Sequence, residues 1–252
     1  MVARVFPTLL LDGRSAIKTT NFMNPRYIGD PVNAARIFNA YEVDELAILD
    51  KSASSEGRTI HLDIIQNISD ECFMPLLVGG GLQSLEDIRH AINAGAEKVS
   101  ISTNGVDNPD FVRQAVEEFG SSTIVVTIDY RVRADGSAAV FTFSGEKPIG
   151  KDLLSVAIEL TELGVGEIFL NSIDRDGTRS GYDVENVRAV ATSVSIPIIA
   201  SGGAGSLEHI AAVIKQGKAA AATAGSLFVY WGRLQAVLMN FPSREELETV
   251  QG

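Results

Sequence analysis

Fourteen residues beginning at Pro75, Pro-Leu-Leu-Val-Gly-Gly-Gly-Leu-Gln-Ser-Leu-Glu-Asp-Ile, return without a gap at Pro197 as Pro-Ile-Ile-Ala-Ser-Gly-Gly-Ala-Gly-Ser-Leu-Glu-His-Ile. The same offset of 122 residues joins Val43 to Val165, Glu45 to Glu167, Gly80 to Gly202 and Gly95 to Gly217. One half of the chain therefore resembles the other. Apolar, β-rich runs at 4–11, 45–49, 76–78, 98–101, 123–128, 167–171, 196–200 and 219–224 alternate with segments of helical spacing at 31–39, 60–69, 85–94, 109–119, 152–163, 184–192 and 207–215. Four βα units, doubled, predict a (β/α)8 barrel over 1–252, with half-barrels of about 1–120 and 121–252. An open doubly wound sheet fits less well, because no Gly-x-Gly-x-x-Gly follows the first strand.

With 252 residues, 45% of them hydrophobic, the chain is long enough to bury a full core. Its net charge of −11 leaves no broad basic surface for nucleic acid or an anionic bilayer. A single cysteine, Cys72, excludes an internal disulfide, and His61, His90 and His209 show no metal-ligand spacing, so no metal or cofactor and a cytoplasmic location are expected. The first apolar run lacks a cleavage pattern, and the longest weakly polar stretch, 219–231, is too short to span a bilayer.

Two glycine loops, at Gly80-Gly81 and Gly202-Gly203, follow repeat-related strands. Glycine admits a close anion, and the helix start that follows, with Ser84 or Ser206 as cap, favours negative charge, although a tight turn alone also uses glycine. Ser102 and Thr103 after the fourth strand and Gly225-Ser226 after the eighth complete a set suited to two phosphates. Asp129, at the carboxyl end of the fifth strand, is the candidate proton-transfer residue. Its repeat mate is Leu10, while Asp12-Gly13 has turn chemistry. Asp176 and Gly177, in Asp174-Arg-Asp-Gly-Thr, suit ribose or phosphate contact or a plain turn. At the other end, Arg4, Glu45, Lys98 and Glu167 start four of the strands and suit a salt-bridged ring closing the barrel bottom. Phe228 and Trp231 are expected to pack a terminal helix, and Ser243-Arg-Glu-Glu-Leu-Glu to form a solvated helix face.

Asp129 in its strand, Ile173-Asp-Arg-Asp-Gly-Thr, Ile199-Ala-Ser-Gly-Gly-Ala-Gly and Val99-Ser-Ile resemble, nearly end to end, the cyclase subunit of imidazole glycerol phosphate synthase of histidine biosynthesis. The resemblance implies a barrel that binds a ribonucleotide with a phosphate at each end. It also implies a glutaminase subunit docked at the barrel bottom as a heterodimer, sending ammonia past a gate that falls on Arg4, Glu45, Lys98 and Glu167. The phosphate loops fall on Gly81, Thr103, Gly203 and Ser226, with Asp176 and Gly177 in the sixth loop. Two positions depart: Leu10 replaces a catalytic aspartate, and Thr19 a glycine. Pro7-Thr-Leu-Leu-Leu and Asn24-Pro-Arg-Tyr-Ile-Gly-Asp-Pro look instead like a paralogous branch that serves amidation of surface sugars with a separate sugar amidotransferase. The expected function is thus an ammonia-channelling barrel subunit serving nucleotide-sugar amidation in lipopolysaccharide synthesis. The alternatives are a true cyclase and a non-catalytic scaffold that activates a glutaminase.

Overall fold

A computed structural model describes residues 3–251; Met1, Val2 and Gly252 lie outside the described residues. Eight parallel strands, β1 (Arg4–Asp12), β2 (Leu46–Asp50), β3 (Leu76–Gly79), β4 (Lys98–Ile101), β5 (Ile124–Val132), β6 (Glu167–Ser172), β7 (Ile198–Ser201) and β8 (Ala221–Ala224), pair in chain order. The ring closes where β8 lies against β1, with Arg4 opposite Ala221. It is a (β/α)8 barrel. Helices α1 (Pro31–Ala40), α2 (Leu62–Ser69), α3 (Leu85–Asn93), α4 (Pro109–Phe119), α5 (Leu153–Glu162), α6 (Val184–Ala191) and α7 (Leu207–Lys215) surround it, each burying an apolar stripe against the outward residues of the strands. A further helix, α8 (Arg244–Gln251), packs on α7, and two short helical turns lie at Thr103–Asp107 and Ser226–Val229 elsewhere in the chain. Among the described residues no helix is long and apolar enough to cross a membrane.

Three hairpins were not visible in the sequence pattern. The first joins Ser15–Thr20 to Met23–Gly29, the second Ala138–Thr142 to Lys147–Asp152, and the third Tyr230–Trp231 to Ala236–Val237. Because the second hairpin continues β5, Asp129 lies within that strand rather than at its end. The first two hairpins obey the repeat: Thr20 and Thr142 each precede a hairpin tip, and Asp30 and Asp152 cap α1 and α5 by accepting from the N–H groups of Asn33 (2.9 Å) and Ser155 (3.0 Å).

Local expectations fare unevenly. Ser84 forms a full capping box with Asp87, whereas the Ser206 hydroxyl makes no cap bond, and the nearby Gly205 N–H donates instead to His209 Nδ1. Phe228 is buried against Phe241, but Trp231 stands 61% exposed on the third hairpin rather than packing a helix. That hairpin turns the Trp231 side chain outward before the chain reaches α8.

Candidate active site

Strand side chains alternate across the wall, so residues two apart stack along the barrel axis. At the strand starts, Arg4 bridges Glu45 (2.8 Å) and Glu167 (2.6 Å), and Lys98 reaches both acids at 3.4 and 3.3 Å. The four charges form a closed ring of alternating sign. Glu45 is nearly fully buried; its carboxyl is pushed up by burial, against the pull of Lys98 and Arg4, and its Oε1 has no hydrogen-bond partner. Above the ring lies an apolar layer of Phe6, Ala47, Leu77, Val125, Phe169, Ile199 and Ala221. Above that, two hydroxyl pairs, Thr8 with Thr223 and Ser100 with Thr127, span neighbouring strands.

The barrel then opens into a cavity of ≈ 320 Å³ at the carboxyl ends of the strands. Gly80, Gly81, Ser102, Thr103, Asp129, Asp176, Gly177, Gly202, Gly203, Gly225 and Ser226 all line it. Sequence separation hid this convergence. Asp129 accepts from Asn171 Nδ2 (2.8 Å) and Ser102 Oγ (3.2 Å), yet burial dominates these bonds and pushes its carboxyl up to about 6. Leu10 faces the same cavity, so the position that the repeat pairs with Asp129 presents a methyl group.

Lys18, Asn171 and the hydroxyl pairs were missed by sequence reasoning. Lys18 sits on the unforeseen first hairpin, where no apolar alternation marks a strand. Burial lowers its ammonium to about 8, while the Asp176 charge opposes the shift. The two hairpin tips, with Phe22 and Phe143, arch over the cavity. The first is latched to the sixth loop: Thr19 Oγ1 donates to the Asp176 carboxylate (2.8 Å), and Asn21 donates to the backbone oxygens of Asp174 and Asp176. The second is tied by the Phe143 N–H to Thr103 Oγ1 and by Ser144 Oγ to the Lys51 carbonyl.

The glycine loops are shaped by their neighbours. A Cβ on Gly81 would sit 1.9 Å from the Arg58 carbonyl oxygen, and one on Gly203 2.1 Å from that of Gly181. Both residues have positive φ, 65° and 109°. Packing thus accounts for glycine at both positions, as the plain-turn reading allowed. The N–H groups of Gly81, Leu82, Gly203 and Ala204 nonetheless meet no acceptor among the described residues, so each loop offers two free donors to an anion.

The family model for the histidine biosynthesis protein matches residues 4–235. The chain belongs to this family. The matched span includes the residues of the charged ring and of the cavity, and the family includes cyclase and isomerase enzymes.

Proposed function

We propose that this barrel is the ammonia-receiving subunit of a glutamine-dependent amidotransferase that serves nucleotide-sugar amidation. The observation that carries the reading is a contrast within one barrel: the charged ring at the bottom is complete, whereas the carboxylate pair at the mouth is halved by Leu10. Ring closure of an imidazole requires a proton donor and a proton acceptor, and leucine supplies neither.

In this reading a glutaminase docks at the bottom, where Phe73 is 94% exposed on the loop between α2 and β3, near Tyr41 and Ile37 at the end of α1. The loop is held in place by the Phe73 N–H donating to Asn39 Oδ1. Ammonia leaves the partner between the ring charges. The apolar layer admits the neutral molecule and opposes ammonium, whose charge has no partner there. The hydroxyl pairs accept its N–H groups, and Asp129, ionised above about pH 6, takes the proton released as nitrogen adds to the acceptor. The anion loops hold phosphates of that acceptor.

A second reading, a true cyclase, is favoured by one observation: both anion loops keep their free N–H donors, as a ligand with two phosphates requires. Ammonia-dependent turnover of the diphosphorylated ribonucleotide by the purified chain, beside Leu10→Asp, separates the two. The proposal expects no imidazole glycerol phosphate from the wild type and a gain from Leu10→Asp. Turnover by the wild type would sink the sugar-amidation reading.

A further inference from the structure

Lys18 is the one buried cation at the cavity that none of these steps uses. It is 5% exposed, and the charge that acts on it is the Asp176 carboxylate, which accepts from Thr19 Oγ1 and forms no ion pair with Lys18 among the described residues. Its Nζ donates to the Thr8 carbonyl at 2.9 Å and fills the space that a side chain at position 225 would occupy: a Cβ on Gly225 would fall 1.9 Å from it. Leu10, opposite Ile17 in the hairpin ladder, gives it an apolar neighbour in the same cavity. A lysine desolvated in this way, facing a cavity rather than an ion-pair partner, is the arrangement that makes an amine nucleophilic.

We propose that Lys18 is a carbonyl-trapping amine, whose Nζ forms an imine with a short phosphorylated aldehyde or ketone seated in the cavity. The neutral nitrogen attacks the carbonyl carbon and a C–N bond forms. The carbonyl oxygen then departs as water, carrying both hydrogens of the amine, and nothing is oxidised or reduced. Asp129, in the same cavity, is suited to relay protons from the nitrogen to the departing oxygen. The free N–H groups of Gly203 and Ala204 hold the phosphate and so select phosphorylated carbonyl compounds over free ones. With burial lowering its ammonium to about 8, roughly half of Lys18 is free amine at pH 8, against well under 1% of an ordinary lysine. This site does not depend on ammonia delivery, and its failure would leave the amidation reading standing.

The test treats the full chain at pH 8 with ribulose 5-phosphate and sodium cyanoborohydride, which reduces an imine to a stable secondary amine, and maps the adduct by peptide mass. Lys18 is expected to label about 100-fold faster than the exposed Lys215 and Lys218. Gly225→Ala, which keeps the lysine but displaces its nitrogen, is expected to lower Lys18 labelling at least about 10-fold. Melting curves recorded beside it show whether the barrel remains folded. Labelling of wild-type Lys18 no faster than Lys215 and Lys218 overturns the proposal. So does equal labelling of Lys18 by unphosphorylated ribulose, which would show a reactive amine without a phosphate-directed site.

Discussion

Asp129 holds its charge where the surroundings oppose it, and that tension gives a measurable signature. Its carboxyl titrates near 6 in the folded protein and near 4 when unfolded, so between these values the folded state binds the extra proton. Stability from this group is therefore greatest below about pH 4, falls as pH rises to about 6, and stays low above. Asp129→Asn is expected to raise thermal stability above pH 6, by up to about 3 kcal/mol, with little change at pH 4. In a reconstituted amidotransferase the same variant is expected to lose about 10²-fold or more of product formation, and unchanged product would favour the scaffold alternative. A residue that destabilises the fold yet is needed for product is a functional residue. The place of Asp129 at the cavity was legible because a carboxylate so late in a barrel strand faces the mouth; that of Lys18 was not, because nothing in Ser15-Ala-Ile-Lys-Thr-Thr signals a strand that folds back over the barrel.

The barrel strands were readable as short apolar runs because both of their faces are buried, one on the axis and one under helices. The hairpins were not, since Met23–Gly29 and Lys147–Asp152 expose most of their residues and lack any apolar period. These elements cover the cavity, and their ties are testable. Asn21→Ala removes the side-chain bond to the Asp174 carbonyl and is expected to speed hydrogen exchange in residues 15–29 while leaving the barrel strands protected. The loop after β3 answers to a different constraint. Gly81→Ala, at φ 65° and against the Arg58 carbonyl, is expected to lower stability by about 3 kcal/mol in chemical denaturation even with no ligand present. A loss under about 1 kcal/mol would mean that the loop yields easily and that glycine serves the anion alone.

Across the whole barrel, the ring joins residues that are 163 positions apart, Arg4 and Glu167, at 2.6 Å. Lys98→Met leaves the buried Glu45 with Arg4 alone and is expected to cost about 2 kcal/mol. In the proposed complex with a glutaminase it is expected to let glutamine hydrolysis continue while product falls; equal loss of both, or of neither, would mean that the ring only braces the barrel. For the glutaminase docking proposed above, Phe73→Ser, on the same face, is expected to weaken binding at least about 10-fold in a titration without changing the melting temperature of the isolated barrel. Spacing in the chain was enough to specify eight βα units, their halves 122 residues apart, and which end of each strand carries glycine and acid, because hydrophobic period and turn chemistry are local properties. Which of those ends meet was settled by closure. Pairing β8 with β1 and β5 with β6 sets the stagger that stacks Arg4, Phe6, Thr8 and Leu10 along one axis, brings Leu10 and Lys18 to the cavity of Asp129, and buries charges that the sequence leaves far apart.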